Sequence, residues 1–289
     1  MKPVRKAVFP VAGLGTRMLP AAKTVAKEML TVVDRPLIHH VLAEARAAGI
    51  EHFILVTGRG KGAMEDYFDH HVELEATLKE KNKTALLDQL MRDLPREGEI
   101  SYVRQMQPKG LGHAVWCARE LVGNEPFAVL LPDMVMDAEP PAMAQAVAAY
   151  NKVGGGNIVL VEPCPAGEAH KYGIVAVEGA GRLTKMTGMV EKPAPGTEPS
   201  NLFISGRYIL QPEIFGILEK GERGAGGEIQ LTDAMLRLMA DQPFHALEYE
   251  GTTYDCGDKV GWLRANVALA LKRPDMADAV RAALTPLLR

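Results

Sequence analysis

The sequence predicts an α/β fold organised around one mixed, mostly parallel sheet. Strand-like and helix-like segments alternate through the first half at the spacing of βαβ units. Strand candidates then crowd together in the second half, where some of them should pair antiparallel. The chain has 289 residues, 47% of them hydrophobic, enough for a sizeable core. With no internal repeat, low-complexity tract or evident linker, a single domain over residues 1–289 is the simplest organisation.

Residues 6–11 form a β-rich apolar run that ends at Gly13 and Gly15. A polar loop follows, and Asp34 and Pro36 open a helix. That helix puts Leu37, Ile38, Val41, Leu42, Ala45 and Ala48 on one face, with Gly49 to close it. Residues 52–57 read as a buried strand. Residues 69–97 are dense in charge, with Lys79-Glu80-Lys81 at the crest, and read as an exposed helical insertion; a mobile flap is the alternative. Strands are predicted at 100–104 and 127–131, with a helix starting near Gly110 between them. The second half carries strand candidates at 157–162, 173–177, 183–190 and 202–210. Helices follow at 212–220, 229–239, 259–271 and 275–288, so the C-terminal helices occupy about 259–289.

Composition excludes several classes. A net charge of -3 argues against a general nucleic-acid or acidic-membrane binder, since both require a basic surplus. No apolar stretch is long enough to span a membrane. Lys2, Arg5 and Lys6 precede a short apolar run, but Pro10 interrupts it and the run is too short for an export segment. Cys117, Cys164 and Cys256 form no CxxC pair, which fits a reducing cytoplasm better than a disulfide scaffold or structural zinc.

Five segments carry possible chemistry. Gly13-Leu14-Gly15-Thr16-Arg17 follows the first strand, where glycines let backbone N–H groups approach a phosphate. Met18 stands where the dinucleotide pattern GxGxxG requires its third glycine, and the P-loop lysine is missing. Arg17, Lys23 and Lys27 point to a polyphosphate instead, although an ordinary glycine turn with surface lysines explains the loop equally well. Gln107-Pro108-Lys109-Gly110-Leu111-Gly112-His113-Ala114 opens a helix whose start offers free N–H donors. Gln107 has donor and acceptor groups to pair with the edge of a base; His113 reads as held by packing or capping. Asp133 ends an apolar strand where α/β sheets bind ligands, a place for Mg²⁺ or for a plain turn aspartate. Asp137 reads as a surface residue before a second ligand. Glu191-Lys192-Pro193 could serve sugar hydroxyls and a phosphate, or form an exposed ion pair. Asp255 ends a short strand, and Cys256 beside it lacks the partners of a nucleophile.

In order, Gly13-Leu-Gly-Thr-Arg17, Lys27-Glu28-Met-Leu30, Gln107 with Gly110-Leu-Gly-His-Ala114, Pro132-Asp133, Tyr172-Gly173, Glu191-Lys192-Pro193, Glu228-Ile-Gln-Leu-Thr-Asp233 and Tyr254-Asp-Cys-Gly257 make a specific series. It resembles the bacterial UTP–glucose-1-phosphate uridylyltransferases from about residue 4 to about 271. The resemblance implies a Rossmann-like three-layer α/β/α sandwich around a mixed sheet. It implies UTP and glucose 1-phosphate as partners, Mg²⁺ as cofactor and a place in polysaccharide biosynthesis. Ala12, Gly13 and Gly15 would contact the nucleotide, with Arg17 and Lys27 on the triphosphate. Glu28, Gln107 and Gly112 would lie against the nucleoside, Gln107 reading uracil. Gly173, Glu191 and Lys192 would hold glucose 1-phosphate, and Asp133 and Asp255 the metal. Ala26 and Thr31 replace prolines usual in the family, which loosens backbone restraint without changing charge.

The expected reaction is one in-line displacement resting on positioning and charge neutralisation, with Arg17, Lys27, Asp133 and Lys192 as its catalytic candidates. Two aspartates meeting without a cation would repel. The same reaction with dTTP or another sugar is the nearest rival, because a methyl group on the base discriminates by only about 1–3 kcal/mol. A non-catalytic nucleotide-sugar sensor would have lost one of the catalytic candidates, and a Rossmann oxidoreductase fails at Met18. The apolar end at 282–288 is either a homo-oligomer contact or a docked tail.

Overall fold

The computed structural model describes residues 1–288. A nine-stranded sheet runs in the order Ile100–Arg104, His52–Thr57, Lys6–Pro10, Phe127–Leu130, Leu202–Leu210, Asn157–Pro163, Phe244–Glu248, Leu183–Glu191, Gly173–Glu178. The first four strands pair in parallel, as do Asn157–Pro163 and Phe244–Glu248. The other neighbours are antiparallel. The sheet is thus mixed, its neighbouring pairs divided evenly, and the mostly parallel expectation does not hold. Short links such as residues 179–182 make hairpins, because parallel pairing needs a crossover of a dozen residues or more.

Alternation along the central strands builds two apolar layers. Ala7, Phe9, Phe53, Leu55, Ala128 and Leu130 pack with residues of helices Leu37–Ala47 and Ala142–Val153. Val8, Ile54, Val56, Phe127 and Val129 pack with Leu111–Cys117, Ile214–Leu218 and Leu231–Leu238 on the other face. The charged segment forms Val72–Glu80 and Thr84–Asp93, mostly exposed, with Arg35 donating to Asp93 at 2.9 Å. At the C-terminal side, Lys259–Lys272 and Ala277–Leu284 are helical, a 3-10 turn follows at Thr285–Leu288, and Leu287 and Leu288 are exposed. No helix among the described residues is long and apolar enough to cross a membrane.

Outside the large sheet, Met134–Asp137 and Thr252–Asp255 form a two-stranded antiparallel ribbon that sets Asp255 opposite Met134.

Candidate active site

That ribbon joins two distant segments. The Phe127–Leu130 strand leaves the sheet through Leu131-Pro132-Asp133, a turn closed by Met134 N donating to Leu131 O at 3.2 Å. Cys256 N donates to Asp133 O at 2.7 Å, so the chain just beyond Asp255 is fastened to Asp133 itself. Lys27 Nζ lies 2.6 Å from Asp133 Oδ2. Arg17 spans the pair, with Nη2 3.8 Å from Asp133 Oδ2 and Nη1 3.5 Å from Asp255 Oδ2. The repulsion expected between the aspartates is therefore met by two cations.

The two carboxyls behave oppositely. Burial pushes Asp133 up, but Lys27 and then Arg17 outweigh it and hold the carboxyl below its ordinary value. Burial and the charge of Asp133 push Asp255 up, against Arg17 and the Gly257 N–H. Burial works to strip Lys27 of its proton, while Asp133 and Glu28 keep its ammonium above the usual lysine value.

The first glycine loop wraps Lys27. Gly15 has φ +65°, and a Cβ there would lie 3.2 Å from the Lys27 Cβ. The chain then makes 3-10 turns at Thr16–Met18, Ala21–Lys23 and Lys27–Met29, leaving Lys23 exposed. Ala26 holds φ -54°, close to the angle a proline ring fixes, so its backbone already takes the shape that proline would impose. Glu28 is buried, with Lys61 Nζ 2.6 Å from its Oε2, while its Oε1 has no partner. Burial raises the Glu28 carboxyl against the pull of Lys61 and Lys27. Sequence reasoning passed over Lys61, whose one signal was its place just past the end of the His52–Thr57 strand.

The second glycine segment departs from expectation. Gly112 N is not a free donor: it bonds to Ile229 O at 2.8 Å, and Ile229 N bonds to Lys109 O at 2.7 Å. A Cβ on Gly110, at φ +109°, or on Gly112 would sit 2.8 Å from Ile229 O. These glycines admit a neighbouring stretch of backbone, which also accounts for the Glu228–Asp233 motif. Gln107 is exposed. Gln105 is the buried glutamine, donating to Gly110 O at 3.1 Å and lying 3.0 Å from His113 Nδ1. His113 stacks on Trp116 with ring centroids 5.9 Å apart, as its packing reading requires.

Glu191 pairs across the sheet with Gly173, and a Cβ on Gly173 would lie 3.1 Å from Glu191 Oε2. Thr232 Oγ1, unforeseen from sequence, donates to that oxygen at 2.7 Å. Lys192 is exposed at φ +49°, its Nζ 3.7 Å from Glu191 Oε1. Asp137 pairs instead with Lys272, so it does not join Asp133. No cluster of three or more His, Cys, Asp or Glu side chains suited to a metal exists among the described residues.

The model of the family described as nucleotidyl transferase matches residues 6–271. The chain belongs to that family. It is 48% identical over 279 residues to the UTP–glucose-1-phosphate uridylyltransferase of Bacillus subtilis (strain 168), covering 96% of this chain and 95% of that protein. The enzyme of the same name from Staphylococcus haemolyticus is 48% identical over 281 residues, 96% of each chain. A UTP-bound UGPase from Acinetobacter baumannii superposes with a TM-score of 0.90 at 42% identity, covering 97% of this chain and 98% of that one. A UDP-glucose pyrophosphorylase complexed with UDP-glucose gives a TM-score of 0.82 at 40% identity, covering 93% and 100%.

As a nucleotidyl transferase the chain is equipped for charge neutralisation more than for covalent catalysis. Cys256 is fully buried, and burial followed by the charge of Asp255 pushes its thiol up to about 12. Such a thiol stays protonated and makes a poor nucleophile.

Proposed function

We infer that the chain transfers a uridylyl group from UTP to glucose 1-phosphate, giving UDP-glucose and pyrophosphate. The convergence of Asp133 and Asp255 under Lys27 and Arg17 carries this reading. Ala12, Gly13 and Gly15 would receive the nucleotide. Arg17 and Lys27 would turn from the aspartates to the triphosphate. Glu28, Gln107 and Gly112 would line the nucleoside, Gln107 reading uracil and Glu28 offering its unpartnered oxygen. Gly173, Glu191 and Lys192 would hold glucose 1-phosphate.

Two converging carboxylates suit a hard cation, and Mg²⁺ commonly takes one or two carboxylates and completes its shell with phosphate oxygens and water. Asp133 and Asp255 would hold it; bound there, it would neutralise charge on the phosphates. A phosphate oxygen of glucose 1-phosphate then attacks the α-phosphorus, the bond to the bridging oxygen breaks, and pyrophosphate leaves with its electron pair. Lys192 orients the attacking phosphate; Lys27 and Arg17 stabilise the departing one.

The two apolar layers on opposite sheet faces support a Rossmann-like α/β/α sandwich. Free Cys117, Cys164 and Cys256 support a cytoplasmic setting. Exposed Leu287 and Leu288 favour a homo-oligomer contact over a docked tail. The test is to supply each nucleoside triphosphate with glucose 1-phosphate and Mg²⁺ and measure pyrophosphate release. UTP should lead; equal or faster release with dTTP would replace this reading by the thymidylyl one.

A further inference from the structure

We propose that Arg207 and Glu44 are positioning residues that set the place of Asp133, an inference that rests on reading Asp133 as the metal-binding carboxylate. Arg207 is fully buried, and its hydrogen bonds reach none of the candidate substrate groups. Its Nε donates to Glu44 Oε1 at 3.0 Å and its Nη2 to Glu44 Oε2 at 2.7 Å, a two-pronged ion pair. The remaining donors point elsewhere. Nη1 donates to Leu131 O at 3.0 Å, and Nη2 to Met134 O at 2.7 Å. Leu131 and Met134 are the two ends of the turn that carries Pro132 and Asp133. One guanidinium therefore grips both ends of that turn and leaves its apex facing Lys27.

The backbone is shaped for this grip. The pairing of Leu202–Leu210 with Asn157–Pro163 shifts register between Ile204 and Tyr208, and Gly206 within the shift holds φ +84°. Gly206 O accepts Leu131 N at 3.0 Å, and a Cβ on Gly206 would meet the Leu131 and Met134 side chains at 3.1 Å. The bulged strand is thus pressed against the same turn that Arg207 holds. Glu44 is anchored in its turn, its Oε1 accepting Met143 N at 3.0 Å at the start of the Ala142–Val153 helix. A lysine could not reproduce the fork, since its three donors radiate from a single point.

Burying two charges is a poor way to stabilise a core, because well-packed apolar residues of similar volume often do as well or better. What the pair supplies, and apolar packing cannot, is directed bonds to two chosen carbonyls. Outer partners of metal ligands are commonly worth about 10–100-fold in affinity or activity.

The test uses the whole protein with Arg207→Lys, and Glu44→Gln as a second variant should the first not fold. Enzyme-bound Mn²⁺ in the presence of UTP is measured by electron paramagnetic resonance, alongside the rate against Mg²⁺ concentration and the thermal midpoint. We expect Mn²⁺ affinity and kcat to fall about 10-fold or more, with the Mg²⁺ optimum moved upward. The KM for glucose 1-phosphate should stay within about twofold, since that interaction is made elsewhere. A lower thermal midpoint with unchanged Mn²⁺ affinity and Mg²⁺ dependence would make the pair a structural brace and overturn the proposal. Asp133→Asn is the reference. If it abolishes Mn²⁺ binding while neither other variant weakens it, positioning alone is refuted. If it too leaves Mn²⁺ binding intact, the metal reading falls and the proposal with it.

Discussion

Lys27 Nζ lies 2.6 Å from Asp133 Oδ2, so an ammonium group occupies the side of the carboxylate that faces the crevice. In the free protein the positive charges of Lys27 and Arg17 are pressed against the acids. On the function proposed above, substrate binding is an exchange of partners, and each aspartate answers differently to losing its charge.

Asp133→Asn should lower activity at least about 10²-fold, equivalent to about 3 kcal/mol of barrier. It should also destabilise the free protein by about 1–3 kcal/mol, because a half-buried Lys27 loses its charged hydrogen-bond partner. Asp255→Asn should also lose activity, less steeply, yet leave the melting temperature unchanged or higher, since burial and Asp133 already oppose that charge. Turnover against Mg²⁺ and calorimetry on both variants decide this. Near-normal turnover in both would return them to ordinary turn residues.

Much of this was legible before the structure. Strand 202–210 and the helix beginning at Leu37 stand where apolar periodicity places them. Asp133 and Asp255 each stand at the end of a strand, as read from sequence, but what brings them together is the ribbon outside the large sheet that sets Asp255 opposite Met134. Other features were illegible for physical reasons. Ala142–Val153 is rich in alanine, which blurs its apolar face. Phe244–Glu248 is five residues long and gains its strand state from a neighbour it cannot name. The helix start at Gly110 and Gly112 looked like a source of free N–H donors because a glycine that admits neighbouring backbone and one that admits a ligand are the same residue. Nothing in the sequence marks Arg207 as interior; its fork of partners is visible only in the fold.

Lys192→Ala should raise the KM for glucose 1-phosphate well above any change for UTP. Lys192 stands exposed beside Glu191, free to meet an incoming phosphate, and a charge-assisted hydrogen bond is worth about 1.5–3 kcal/mol. Steady-state kinetics with each substrate varied in turn would show unchanged sugar-phosphate constants if Lys192 has no part.

Gln107→Ala should narrow the preference for UTP over other triphosphates and spare stability, since its side chain is exposed. Gln105→Ala should do the reverse, loosening Gly110 and His113 at a cost of about 1–3 kcal/mol for buried groups left unpaired. Competition between UTP and dTTP separates the two; an undiminished UTP preference in Gln107→Ala assigns base reading to other groups.

Gly112→Ala should cost about 1–3 kcal/mol of stability by overpacking. The added methyl would meet Ile229 O and a Leu218 methyl group at 2.8 Å, and the oxygen belongs to backbone that cannot rotate away. Urea unfolding measures this, and a loss below about 0.5 kcal/mol, the size of an ordinary surface change, would show that the two segments separate easily.

His39 gives the fold a pH dependence remote from the chemistry. Burial pushes its imidazole down to about 4, against the pull of Asp93, and Tyr67 Oη lies 3.1 Å from Nδ1. The unfolded chain takes up this proton below about 6.5 and the folded one does not. Stability is therefore complete above 6.5 and declines as pH falls toward 4. Between pH 7.5 and 5 the decline is at most about 2 kcal/mol, less after solvent screening. Replacing His39 by glutamine should remove this part of the pH slope in urea titrations; parallel slopes in both proteins would exclude it.

The ribbon between Met134–Asp137 and Thr252–Asp255 has a consequence for how the molecule is born. A chain still on the ribosome and grown only to residue 251 already holds Asp133, Lys27 and Arg17. It has no second carboxylate, and no Cys256 N–H to fasten the carbonyl of Asp133. Synthesis must pass Cys256 before both halves of the crevice exist, so a polypeptide cut short before Asp255 holds only one of them however well its large sheet has folded.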